Sequence, residues 1–203
     1  MRLSVQILAL ACAACGQATT ELATQGPFGL HRGMTKAEII QLVGRDAVMV
    51  ETPARLALTR VPKPHSSFEV YWLEFGPKGL LRILAISKTI ETNGHGKEVK
   101  RAFLELKKPL EKKYGTSETL DSLSSGSLWT AQQHWMMGFL QKDRELASLW
   151  LPENYRNLPN GITLIQLTVS VQSASEGLLS LMYEFEGWKA YSASLKAKEA
   201  TVF

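Results

Sequence analysis

Two pairs of alternating runs constrain this chain more than any other feature. In residues 69–75, Tyr71, Leu73 and Phe75 fall on one side and Val70, Trp72 and Glu74 on the other, which is the two-residue period of a β-strand. Gly76-Pro77-Lys78-Gly79 reads as a turn, and residues 80–87 return as the partner strand. Residues 162–171 alternate in the same way, with residues 177–186 as the expected partner. Connections this short join antiparallel neighbours, because a parallel pair needs a crossover of about a dozen residues or more. Shorter strand candidates lie at residues 144–151 and at residues 47–51 and 56–61, the last two separated by Pro53 and closed by Pro62-Lys63-Pro64.

Helix signals punctuate these strands. Thr35 followed by Glu38 is a capping box, with Met34 and Ile39 in the staple positions on either side. Ile39, Ile40, Leu42 and Val43 form the apolar face, and Gly44 supplies the stop. Asn93-Gly94-His95-Gly96 is a turn leading into a second helix over residues 97–114, where Val99, Ala102, Phe103, Leu106, Leu110 and Tyr114 recur at helical spacing. Pro109 sits inside that pattern; its missing N–H and its clash with the carbonyl of residue 105 predict a kink or break. Residues 116–128, rich in Ser, Thr and Gly, read as a loop. Residues 129–139 carry no decisive period, and residues 188–199 read as a terminal helix. The expected class is α+β, an antiparallel sheet of hairpins packed against a few helices. The order falls into two helix-then-strands halves, compatible with an old duplication, although no residue-level repeat accompanies it.

The N-terminus, MRLSVQILALACAACG, has the pattern of an export signal. Arg2 precedes an apolar run over residues 5–14, about half the length of a membrane-spanning helix. Ala13-Ala14-Cys15-Gly16 resembles the lipobox of bacterial lipoproteins, in which the cysteine becomes the lipid-modified N-terminus after cleavage. That resemblance implies lipidation at Cys15, with Cys12, preceded by Leu10-Ala11, as the alternative. Cleavage by an ordinary signal peptidase after Ala11 or Ala18 would give plain secretion instead. The expected organisation is a signal peptide over residues 1–14, a polar tether over 15–27 and a single α+β domain over 28–203. No cysteine follows Cys15, so an exported domain must be held by its core without disulfides. The 45% hydrophobic content is ordinary for such a core. A formal charge of +4 is too small for a dedicated nucleic-acid protein.

Gly33-Met34-Thr35-Lys36-Ala37-Glu38, with Leu42-Val43-Gly44, resembles a segment of small SmpA-type envelope lipoproteins and of the β-lactamase-inhibitor-protein fold. Those resemblances imply short helices packed on an antiparallel sheet. Val61-Pro62-Lys63-Pro64-His65, Thr92-Asn93-Gly94 and Trp135-Met136-Met137-Gly138 resemble segments of an uncharacterised bacterial protein family, which implies no activity.

Catalytic patterns do not emerge. His31, His65, His95 and His134 show no metal-ligand spacing and no H-E-x-x-H. Neither G-x-S-x-G nor S-x-x-K occurs, and Ser124, Ser125 and Ser127 lack a recognisable oriented base. Gly94-His95-Gly96-Lys97 has Glu98 where a phosphate loop would carry Ser or Thr. Glu184 with Glu186, and Asp143 with Glu145, share strand faces and read as soluble surface. No catalytic residue, metal or cofactor is expected.

Two surface features remain. Residues 97–113 carry seven Lys or Arg against three Glu, and Lys100, Arg101, Lys107 and Lys108 are candidates for an anionic surface. Trp129, Trp135, Met136, Met137 and Phe139 are candidates for a partner groove, although such residues are equally at home in a core. The expectation is a non-enzymatic, exported, lipid-anchored envelope protein. It would bind another envelope or exported protein as an adaptor, inhibitor or immunity protein, without nucleic acid. The alternative is a hydrolase or small-ligand-binding periplasmic protein with a site built from distant residues, marked by a cleft holding His134 beside a carboxylate.

Overall fold

The computed structural model describes residues 26–152 and 158–200. The signal, most of the tether, Cys12 and Cys15 lie outside the described residues. The chain is α+β, with four helices and a 9-stranded antiparallel sheet among those residues. In chain order the elements are α1 (Lys36–Val43), β1 (Val48–Glu51), β2 (Arg55–Leu58), β3 (Phe68–Gly76), β4 (Gly79–Ser87), β5 (Ile90–Glu91) and α2 (Lys97–Tyr114). They continue with β6 (Glu118–Leu123), α3 (Trp135–Leu140), β7 (Arg144–Trp150), β8 (Ile162–Ser173), β9 (Glu176–Phe185) and α4 (Trp188–Ala200).

The sheet order is β1-β2-β3-β4-β9-β8-β7-β6, with β5 pairing β9 off this path. Each half is therefore a helix followed by a four-strand meander that runs from the outer edge inward. The last strand of each meander, β4 and β9, meets the other at the centre. Alternate rungs of the ladder point to opposite faces. One rung runs Leu56, Leu73, Ile83, Tyr183, Ile165, Trp150 across six strands, and every one of these residues is buried. Helices α1, α2 and α3 cover this face. Lys36 of α1 lies over the Phe75 ring, Tyr114 of α2 meets Tyr183 at 6.3 Å, and α3 contacts β7 and β8.

The capping box forms as expected. The Thr35 hydroxyl accepts the Glu38 N–H, and the Glu38 carboxylate accepts the Thr35 N–H at 2.7 Å. Ile39 and Val43 enter the core, whereas Leu42, expected on the apolar face, is 59% exposed. An eight-residue helix has room for a narrow buried stripe only, and Leu42 lies off it.

Two expectations are overturned. Helix α2 runs unbroken from Lys97 to Tyr114 with Pro109 inside it. Pro109 and Glu105 both lie on the exposed side, so the carbonyl that Pro109 leaves without its helical donor faces water. Part of the Ser/Thr-rich stretch is also not a loop. Glu118–Leu123 is the edge strand β6, in register with β7 from Glu118↔Leu149 to Leu123↔Arg144. An edge strand draws its pairing from backbone on one side and needs few apolar side chains. Polar contacts hold it: Thr119 Oγ1 lies 3.0 Å from Ser148 Oγ and accepts from Lys107 Nζ at 2.7 Å, while Arg144 pairs with Asp121 at 3.0 Å.

Candidate functional site

The second face of the sheet carries the arrangement that most invites a function. Next to the buried rung lies a charged one, in which Arg55, Glu74, Arg82 and Glu184 stand opposite one another on β2, β3, β4 and β9. Alternating sign lets each acid sit between two bases or beside one. Arg55 Nε donates to Glu74 at 2.9 Å, Arg82 Nη1 donates to the other Glu74 oxygen at 2.9 Å, and Arg82 lies 3.7 Å from Glu184. Arg82 also stacks on the Trp188 ring of α4, 5.0 Å from its centroid. Burial pushes the Glu184 carboxyl above its ordinary range, against the pull of the Arg82 guanidinium and of a hydrogen bond from Trp188.

Beyond the charged rung the face becomes apolar. Ala57, Trp72, Leu84, Met182, Gln166 and Leu149 form the next rung on this side. Val70 and Ile86 follow, in line with Ser180, Thr168 and Ala147. Trp72, Leu84, Ile86 and Met182 are half-buried. A concavity of about 320 Å³ lies over Arg55, Trp72, Glu74, Arg82, Leu84 and Ile86. A second, of about 700 Å³, lies between the sheet and α4, shares Arg82 with the first and is also lined by Glu184. A trough with an apolar floor and one self-neutralised charged wall can receive an apolar protein surface without leaving a buried charge unpaired.

The residues singled out in the sequence are placed elsewhere. Trp135 and Met136 are 5% and 0% exposed and belong to the core under α3, so neither offers surface to a partner. Trp129, Met137 and Phe139 are half-buried around them, with Phe139 4.6 Å from the Trp135 ring. Lys100 and Lys107 turn inward: Lys100 Nζ sits 4.4 Å over the Trp135 ring, and Lys107 binds Thr119 and Glu111. Desolvation holds the Lys100 ammonium below its ordinary range. Arg101 and Lys108, one helix position further round, are exposed, and Arg101 pairs with Glu105 at 3.9 Å. The four cations therefore divide between two faces of α2.

His134 packs against Trp129 at 5.6 Å, and its buried Nδ1 has no hydrogen-bond partner among the described residues, so no carboxylate orients that nitrogen for base catalysis. Among the described residues no His, Cys, Asp and Glu side chains gather as a metal site. Nor is any helix among them long and apolar enough to cross a membrane.

Sequence reasoning placed Trp72 and Glu74 on a strand and read Glu184, with Glu186, as soluble surface, and it assigned none of them to a partner site. The available signal was apolar residues on both faces of residues 69–75 and 80–87, since a strand with one solvated face shows polar residues there. Comparison with protein-family models, curated proteins and solved structures found no match to this chain.

Proposed function

We propose that this is an exported envelope protein, lipid-anchored through Cys15, that binds another exported protein across the open face of its sheet. The observation that carries the reading is the half-exposed apolar rung of Trp72, Leu84 and Met182 beside a charged rung whose members neutralise one another. Contiguous apolar surface rimmed by polar groups marks interaction sites. With two Arg and two Glu in the rung, the face favours a partner that presents an apolar loop or side chain within a neutral polar rim. The lipobox-like segment and the resemblance of residues 33–44 to small envelope lipoproteins support the location.

Site-specific photocrosslinking in cells tests this. A photoreactive residue at position 72 should give one discrete heterologous adduct in the membrane fraction, and Leu84→Asp should abolish it. The same residue at position 42, exposed on the helix side, should give none. Cys15→Ser should move the protein to the soluble fraction. No adduct at position 72, or an adduct only with a second copy of the chain, would overturn the partner assignment; an unmoved Cys15→Ser protein would overturn the anchor.

A further inference from the structure

A different part of the molecule, on the helix-covered side, contains a cleft of about 350 Å³ between α2 and the turn at residues 27–29. We infer that it binds a small amphipathic monoanion, a carboxylate on a single apolar chain, in a site separate from the open sheet face. Phe28, Phe68, Leu106, Leu110 and Leu181 form apolar walls, and Lys63, His65 and Lys113 are its basic lining residues. Among the described residues the lining contains no Asp or Glu. A volume in the range of small-molecule pockets, mostly apolar with a few cationic groups, suits one chain with one charged head.

Two unfavourable local choices converge here. Phe28 adopts φ 58°, a left-handed conformation rarely taken by a bulky residue, and is held there by edge contacts to Phe68, Tyr71 and Tyr183 at 5.7, 5.1 and 5.9 Å. Pro109 sits inside α2 at the loss of a helical hydrogen bond. Both residues line the cleft. Backbone strain of this kind persists where surroundings enforce it and concentrates at ligand sites. The polar groups also suit a carboxylate. His65 Nδ1 accepts the Ser67 N–H at 3.2 Å, so the neutral ring carries its proton on Nε2 and retains a donor. Lys113 lies against the Tyr114 ring, 5.0 Å from its centroid. Tyr114 and Tyr183, with ring centroids 6.3 Å apart, complete the lining on this side.

Isothermal titration of the purified protein with octanoate, octanol and acetate tests the site. Octanoate should bind saturably with one-to-one stoichiometry, octanol at least tenfold more weakly, and acetate not at all. Lys63→Gln combined with Lys113→Gln, both surface changes that leave the core intact, should weaken octanoate at least tenfold and leave octanol unchanged. Leu84→Asp, on the open sheet face, should leave octanoate binding unaltered, which separates this site from the proposed protein-binding face. Absence of saturation up to the order of 1 mM, equal affinity for octanoate and octanol, or a double variant that binds as well as the parent would overturn the inference.

Discussion

At the residue scale, Glu184 shows how one position can be tuned by opposing forces. Its side chain is 19% exposed between Arg82 and Trp188, and burial outweighs the attraction of the guanidinium. An acid whose folded value is raised holds its proton after the unfolded chain has lost it. Its contribution to stability therefore falls as pH rises from the ordinary carboxylate range through the folded value. Glu38 works in the opposite sense: the Thr35 backbone N–H and hydroxyl hold its carboxyl low, so its contribution is lost as pH falls through that lowered value. Whole-protein acid titration mixes these effects, and a neutral isostere separates one of them. Glu184→Gln should be at least as stable as the parent at pH 7, and its advantage should shrink as the pH falls into the ordinary carboxylate range, by which point the parent is also neutral. Urea denaturation midpoints of both proteins down into that range check this; a difference independent of pH would mean that Glu184 is not held out of water.

At the element scale, Pro109 tests whether α2 is optimised for stability or for its cleft. Restoring an N–H at that position recovers a helical bond and removes a ring–carbonyl clash, together worth about 3 kcal/mol in a helix interior. The unfolded chain regains about 0.4–1 kcal/mol of entropy when proline is lost. Pro109→Ala should therefore raise stability by about 2 kcal/mol, read as a shifted denaturation midpoint; an unchanged or lower midpoint would show that the proline ring contributes packing that offsets its helical penalty. The same helix shows what local pattern reveals and what it hides. Its ends at Lys97 and Tyr114 were legible because apolar spacing and flanking glycines agree, as were α1 through its capping box and the two long hairpins through their alternation. Strand β6 was not legible, because Ser, Thr and Asp at a sheet edge look like a loop until the backbone partner is known. The short β5 and α3 fell below the length at which a period can be recognised. The cleft gathers residues from the 27–29 turn, the 63–68 segment, α2 and β9, and no local signal connects them. The open face depends on knowing which side of β3 and β4 the helices cover, a fact carried by pairing and not by either strand alone.

At the scale of the whole molecule, that pairing is the long-range event on which both proposed sites depend. Arg82 of β4 meets Glu184 of β9, and the Ser87 hydroxyl, 2% exposed, accepts the Leu179 N–H at 2.9 Å. These contacts stitch the first meander to the second. Phe28, ahead of the first helix, touches Tyr71 from one half and Tyr183 from the other. Leu73, Ile83, Tyr183 and Ile165 belong to a single buried cluster that crosses the junction. Two topologically matching halves invite the idea that each folds alone, but neither meander closes its central edge without the other, and an exposed edge beside an open core is unstable. The physical expectation is one cooperative unit. Ile39, fully buried in α1, offers a test remote from the junction. Ile39→Ala should destabilise the protein by about 2–4 kcal/mol through lost burial and the cavity left behind. In a cooperative unit that loss is shared, so native-state hydrogen exchange should show equal reductions in protection for core amides of β3 and of β8. Loss confined to β1–β4, with β8 still protected as in the parent, would mean that the second half opens and closes on its own and that the β4–β9 junction is a contact between two folding units.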